Sequence, residues 1–346
     1  MSVYPIDPLK DPRWRSFLSA HDDASVFHSP GWLSALQQTY AYDPIAFTCS
    51  GPREEISNGM VFCEIRSVIT GRRLVSLPFS DYCQPLVVRE SQFNELLSHA
   101  VEDREKNHWR YIEVKLSLGG WMMPPEFHET EKYYIHRLEL NLSLEQLFRR
   151  FHKDSVQRKI LRAEKEALFL ESGSSDTILD RFYSLMIQTR RRHGLPPQPK
   201  LWFHNLVKHL PGILKIHLAS KDGRPLAGIL TLHFKNVLVY KYGGSDSRFH
   251  RLGAMHALLW RAIQQAKSDG VSTFDLGRTD PDNPGLVTFK DRWGARRTAL
   301  SHYRSPDSVM AVDVQGWKIR FAKQIFAHLP DRVLVTSGRL FYKHMG

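Results

Sequence analysis

Cysteine is scarce in this chain. Its three residues, Cys49, Cys63 and Cys83, stand at no metal or redox spacing. That excludes a Cys-x-x-Cys centre and reads as reduced, buried thiols of a cytoplasmic protein. No apolar run approaches the ~18 residues that a membrane-crossing helix needs. None opens the chain either, so no signal peptide is expected. Seventeen histidines include no His-Glu-x-x-His, and no metal site is expected. A Gly-x-Ser-x-Gly elbow is missing, which argues against an α/β-hydrolase. A Walker A loop and a helix-turn-helix signal are missing too, and DNA is not an expected partner.

What is present is a chain built for a core. Of 346 residues, 42% are hydrophobic, with eight Trp and nineteen Phe. This fits a globular enzyme of two domains or one large one, and argues against a disordered chain. The formal charge is +12, with a pI of about 9.6. Either a solvated basic surface or an anionic partner follows: RNA, nucleotide phosphate, anionic polysaccharide or lipid headgroups.

Periodicity places strands at 61–68 and 72–77, joined by Thr70-Gly71, then a helix at 92–106 and strands at 109–116 and 133–140. The order recurs in the second half. Strands at 213–219, 226–234 and 237–242 form a meander, followed by a helix at 254–268 and strands at 272–276 and 298–303. Two copies of one α/β (α+β) unit are expected, with mixed, mostly antiparallel sheets flanked by helices. The expected ranges are 1–142, 143–310, and a helical basic tail at 311–346.

Two helices link the halves. The first starts near Ser143 and is two-faced from Val156. Val156, Ile160, Ala163 and Ala167 fall on one side, and Arg158, Arg162 and Lys165 on the other. The charged side is either a solvated face or a strip for phosphates. The second helix, 177–192, ends in Arg190-Arg191-Arg192-His193-Gly194, where cations and a glycine suit a helix C-terminus. The tail at 317–343 sets Ile319, Phe321, Ile325, Phe326 and Leu329 among Lys318, Arg320 and Lys323. That face either packs on the protein or lies on an anionic inner-membrane surface.

The richest stretch is Phe274-Asp275-Leu276-Gly277-Arg278, followed by Gly285-Leu286, Phe289-Lys290 and Trp293-Gly294. A strand runs into a loop broken by Pro281, Asn283 and Pro284, so the acid and bases are expected on irregular backbone. Tyr240 and Tyr242 alternate on one strand and are expected on one side.

These residues resemble the closing motif of FemAB-type transferases, relatives of the GNAT acyltransferases. The likeness is nearer to the branch with a BioF2-like acetyltransferase domain, found in bacterial envelope and exopolysaccharide systems. It covers nearly the whole chain. Phe27-His28-Ser29-Pro30-Gly31-Trp32 is similar to the entry motif. Ser76 to Tyr82, with Pro85-Leu86, is similar to the central motif of the first half. Arg158 to Lys165 resembles the basic helix, Thr189 to Pro197 the segment after it, and Tyr242-Gly243-Gly244-Ser245-Asp246 a strand-end motif. The resemblance implies tandem GNAT-like domains with a transferase site in the cleft between them.

The implied reaction is attack of an amine on a thioester or ester carbonyl. It requires alignment, a proton acceptor and oxyanion stabilisation, not a covalent nucleophile. By resemblance Lys290 stabilises the oxyanion. Asp275 either accepts the amine proton or orients Arg278 and Lys290. Arg278 holds a phosphate or carboxylate, and Phe289 either walls the pocket or packs in the core. Asp81 and Tyr82 face the acceptor, Arg158 and Arg162 form the phosphate strip, and Tyr242, Ser245, Asp246 and Gly253 serve the donor. No permanently bound cofactor is implied. The co-substrate is acyl-CoA or aminoacyl-tRNA, with acyl-CoA favoured, and the acceptor is an amino group of an envelope or polysaccharide precursor. The alternatives are tRNA-dependent addition to a peptidoglycan precursor and a non-catalytic polyanion-binding module. One departure stands out. His250-Arg251-Leu252-Gly253-Ala254-Met255 keeps only Gly253 of the usual pyrophosphate pattern, with Met255 at the last small position.

Overall fold

The computed structural model describes residues 2–117, 121–306 and 323–346. The chain divides into two units with interleaved ranges. Unit 1 comprises Met1–Tyr133, Ala299–Asp313 and Leu340–Gly346; unit 2 comprises Tyr134–Thr298 and Val314–Arg339. The contiguous ranges 1–142 and 143–310 expected from the sequence differ from this. The physical reason is one late strand, Arg296–Ser305, whose second half pairs with an early strand of unit 1.

In unit 1, β1 (Tyr4–Ile6), β2 (Asp43–Thr48), β3 (Met60–Ser67) and β4 (Gly71–Val75) form an antiparallel run. Helices α1 (Pro12–Ala20) and α2 (Pro30–Tyr40) lie between the first two strands in sequence. Each opens with Pro in its first turn and a side-chain cap, from Asp11 and Ser29. The long helix α3 (Glu90–Asn107) carries the chain across to β5 (Ile112–Leu116), which runs parallel to β4. Phe93, Leu96, Leu97 and Ala100 of α3 are buried with Phe47, Phe62, Leu74, Ile112 and Val114. The late strand closes on β5, Ser301 opposite Leu116 and Ser305 opposite Ile112.

In unit 2 the strand order is β6-β11-β10-β9-β8-β7. These are β6 (His128–Glu139), β7 (Phe169–Gly173), β8 (Leu214–Lys221), β9 (Arg224–Phe234), β10 (Val237–Ser245) and β11 (Thr273–Thr279). All neighbours are antiparallel except β10 and β11. The helix expected from Ser143 onward is broken. After α4 (Leu144–Arg150), Phe151 turns extended and a π-turn, Lys153–Gln157, leads into α5 (Arg158–Lys165). The break is held because the N–H of His152 donates to the carbonyl of Arg292 at 2.8 Å. Helix α6 (Asp176–Arg192) is capped by Ser175 and buries Leu179, Phe182, Leu185 and Met186; α7 (Lys200–His209) follows. Helix α8 (Ala254–Ser268) buries Leu258, Leu259, Ala262, Ile263 and Ala266. The expected loop beyond β11 instead contains a helix, α9 (Pro284–Asp291), capped by Asn283. Lys290 is therefore helical, and Asp275 and Arg278 lie within β11.

Of the basic tail, Lys318, Ile319, Arg320 and Phe321 lie outside the described residues. Asp331–Tyr342 is helical. No described helix is long and apolar enough to cross a membrane.

Candidate functional site

The geometry begins with two strands that part. Parallel pairing of β10 with β11 runs Val237 to Thr273, Leu238 to Phe274 and Val239 to Asp275, and stops there. Just beyond the last pair each strand carries a bulge, between Tyr240 and Tyr242 on β10 and between Asp275 and Arg278 on β11. A bulge adds one residue, bends its strand and ends regular pairing. On β10 it also flips the side-chain sequence. Tyr240 pairs with Thr231 but Tyr242 pairs with Leu230, so the two tyrosines face opposite sides, against the expectation that they share one. Tyr240 packs with the α8-side core. The Tyr242 hydroxyl takes a 2.9 Å hydrogen bond from Trp202 Nε1, and its ring meets Phe203 edge-on.

The β11 bulge is held by the two residues expected to be catalytic. Asp275 is fully buried, and its Oδ1 accepts the N–H of Gly277 at 2.7 Å. Its Oδ2 lies 3.4 Å from Arg137 Nε on β6. Gly277 has φ +75°, a conformation costly for any side chain. Lys290 is 3% exposed, and its Nζ donates to the carbonyls of Gly277 at 2.8 Å and Arg278 at 3.0 Å. The Gly277 peptide segment is thus gripped from both ends, and the lysine is a fixed positive charge, not a mobile surface cation. A charge held this way costs little reorganisation when negative charge develops nearby. Arg278, in the same bulge, is half-buried.

Beside Lys290 stands a residue the sequence did not flag. His136 on β6 is fully buried, with Nδ1 3.3 Å from Thr279 Oγ1 and Nε2 3.5 Å from Asp291 Oδ1. Burial pushes its pKa down to about 4, helped by Lys290 and Arg297 and opposed by Asp291. It is neutral near pH 7. Its Nδ1 links β6 to β11 through Thr279.

Past the parted strands lies a cavity of about 260 Å³ lined by Lys159, Ser245, Asp246, His250, His256 and Phe289 among others. A second, of about 380 Å³, shares Lys159, His256 and Phe289 and adds Ser155 and Arg292. Three of the expected site residues, Ser245, Asp246 and Phe289, meet here. Ser245 Oγ is 2.9 Å from His250 Nε2, while Asp246 pairs with Arg224 and Arg248. Those ion pairs and a backbone bond hold the Asp246 carboxyl below its ordinary value. His256 stacks on Trp293, and burial and then Lys159 push its pKa down to about 4. Lys159, His250 and His256 come from separate elements; Lys159 and His250 fall in segments singled out from the sequence, and His256 directly follows the second of them.

Gly253 sits in a tight turn at the start of α8. Its φ is +77°, and a Cβ there would lie 2.3 Å from the Lys159 carbonyl oxygen. Helix α5 is therefore packed onto the turn that starts α8. In an open cradle the free amides at a helix start face an anion; here a carbonyl oxygen of α5 lies against the glycine. The preference for acyl-CoA is unsupported by this loop.

Arg158 and Arg162 are exposed and pair with Asp154 at 3.0 Å and Glu166 at 2.7 Å, one turn away on the helix surface. In unit 1, Tyr82 is buried edge-on against Phe27, and Asp81 is half-buried before it. The loop leading to them is strained, with Leu77 at φ 48° and Phe79 at φ 60°, steadied by Ser80 Oγ donating to the Leu77 carbonyl at 2.6 Å. Left-handed non-glycine residues of this kind collect at functional loops.

Charge is divided very unevenly. Unit 2 holds 33 Lys and Arg against 16 Asp and Glu, a formal +17, whereas unit 1 holds 15 against 20, a formal −5.

The parted parallel strands, bulged where they separate and followed by a helix at the gap, define an α/β fold of the tandem GNAT class. Residues 149–291 match the family described as "Acetyltransferase (GNAT) domain". Over 143 residues the chain is 25% identical to the UDP-N-acetylmuramoylpentapeptide-lysine N(6)-alanyltransferase of Weissella viridescens; the match spans 40% of this chain and 42% of that relative. The crystal structure of FemX superposes with a TM-score of 0.66 at 15% identity, covering 88% of this chain and 97% of that one. A tandem GNAT protein from the clavulanic acid biosynthesis pathway gives a TM-score of 0.55 at 11% identity, over 88% and 98%. Residues 149–291 thus carry a GNAT-type domain, and the chain as a whole shares the fold of FemX and of a tandem GNAT protein.

Proposed function

We propose that this protein is an aminoacyl-tRNA-dependent N-acyltransferase that adds an amino acid to an amino group on the peptide of a peptidoglycan precursor. The observation that carries the donor assignment is the charge of unit 2, with the Gly253 turn packed closely on α5 beside it. The surplus of 17 positive charges in unit 2 suits a polyanionic donor, and the alanyltransferase likeness suits the acceptor. In this reading the ester carbonyl of the donor sits by the gap between β10 and β11. The acceptor amine attacks it, the carbon–nitrogen bond forms, and the tRNA 3′-terminal oxygen leaves. Lys290 faces the charge that develops on the carbonyl oxygen, and Asp275 keeps the bulge and Lys290 in register. The proton lost by the amine passes to the leaving oxygen.

Ligand-linked melting tests this. A ligand that binds only the folded chain at ~100 times its Kd adds about 2.7 kcal/mol of stability, which is a shift of a few degrees for a protein this long. Aminoacyl-tRNA and UDP-N-acetylmuramoyl-pentapeptide should each raise Tm, the charged tRNA more than the uncharged one. Coenzyme A and acetyl-CoA should leave it unchanged. A shift with acetyl-CoA and none with aminoacyl-tRNA would replace this reading with the acyl-CoA one.

A further inference from the structure

The positive charge of unit 2 is not spread evenly in its availability. Arg149, Arg158 and Arg162 each have a carboxylate partner one turn away. Among the described residues, Lys153, Lys159 and Arg292 have no acidic partner within salt-bridge distance. These three gather at one place. Lys159 and Arg292 line the 380 Å³ cavity, together with Asp154 and Ser155 from the π-turn that begins at Lys153. The His152 N–H to Arg292 carbonyl bond fixes the turn against the end of α9. The one carboxylate at the cavity, Asp154, is neutralised by Arg158 at 3.0 Å. Lys159 and Arg292 thus line the larger cavity beside the turn that starts at Lys153, and Lys159, His256 and Phe289 line both cavities.

We propose that the backbone phosphates next to the acylated end of the donor RNA seat on Lys153, Lys159 and Arg292. The RNA arm then enters unit 2 over the turn between α4 and α5. This rests on the RNA-donor reading and assigns it a surface. It also moves the phosphate strip from Arg158 and Arg162, whose carboxylate partners compete with phosphate, to three cations that nothing else claims. RNA fits better than an anionic membrane, because the only large exposed apolar side chain on α5 is Leu161, and a membrane-seated helix needs an apolar face as well as a basic one.

The test is the salt dependence of tRNA binding to the full chain. Each lost phosphate contact makes the slope of log K against log salt shallower by about 1. The triple variant Lys153→Ala/Lys159→Ala/Arg292→Ala should flatten the slope by about 2 to 3 and raise the KM for aminoacyl-tRNA at least ~10-fold, with kcat at saturation retained. A control of equal charge loss in unit 1, Lys10→Ala/Lys106→Ala/Lys132→Ala, removes three exposed lysines and should leave the slope unchanged. Equal slopes for the two triple variants would overturn the assignment and leave the RNA-donor reading standing. Binding to phosphatidylglycerol vesicles that the first triple variant abolishes, with tRNA binding intact, would overturn it in favour of a membrane surface. If the unaltered chain binds no tRNA even at low salt, the donor reading itself fails.

Discussion

Lys290 is both a fixed charge and a structural clasp, and the two roles separate by experiment. Its ammonium joins two carbonyls of the β11 bulge while 3% exposed. Lys290→Ala strands those carbonyls, and each buried orphan costs about 1–3 kcal/mol. The variant should melt lower, lose turnover by roughly 100-fold, and keep its affinity for the acceptor. Lys290→Arg retains charge and donors, so it should recover most of the stability but less of the rate. If Lys290→Ala kept full turnover despite a lower Tm, the residue would be a clasp and nothing more. The buried histidines give a pH signature. His28 and His136 are fully buried and held to about 4, mainly by burial. Their folded pKa lies below the unfolded value of about 6.5, so the unfolded chain takes up protons first. Stability is whole above about pH 6.5 and drains as pH falls towards 4, by on the order of 1–2 kcal/mol per histidine at pH 5. Melting curves between pH 4.5 and 7.5 read this directly, and a Tm flat across that window would contradict it.

At the scale of elements, the site is made by two bulges and by glycines that let helices approach. A Cβ on Gly244 would lie 2.7 Å from the backbone of Leu185, so α6 rests directly on β10. Gly244→Ala should cost roughly 1–3 kcal/mol by forcing α6 outward, seen as a lower denaturation midpoint with unchanged slope. Gly285→Ala on α9, where a Cβ meets nothing nearer than 3.8 Å, should be neutral or stabilising. Alternation and helical periodicity made the meander β8–β10 and the whole of α8 legible from sequence, because those elements bury continuous faces. They failed where local geometry departs from the period. One added residue at Lys241 inverted the expected side of Tyr242. Asn283 and Pro284 read as breakers, yet asparagine caps α9 and proline suits its first turn. Asp275 and Lys290 were legible as a motif, since the bulge and its clasp lie within 15 residues. His136 was not, because its partner Thr279 is 143 residues away in sequence. Lys159 and His256 meet only through the packing of α5 on α8.

For the whole molecule, the governing feature is the division of charge, +17 in unit 2 and −5 in unit 1. The sum, +12, fits many anions equally. The division lies almost wholly along the chain, because residues 1–133 alone hold 13 Lys and Arg against 18 Asp and Glu, and the later segments of unit 1 add no net charge. The proposed RNA donor draws on this basic unit. The most direct measurement is turnover by the purified chain of an amine-bearing envelope precursor, offered aminoacyl-tRNA in one reaction and acetyl-CoA in another, with the product mass read by mass spectrometry. A product heavier by one amino-acid residue, formed from aminoacyl-tRNA alone and lost in Lys290→Ala, is the expected result. A product heavier by one acetyl group, formed from acetyl-CoA while aminoacyl-tRNA stays inert, would contradict it.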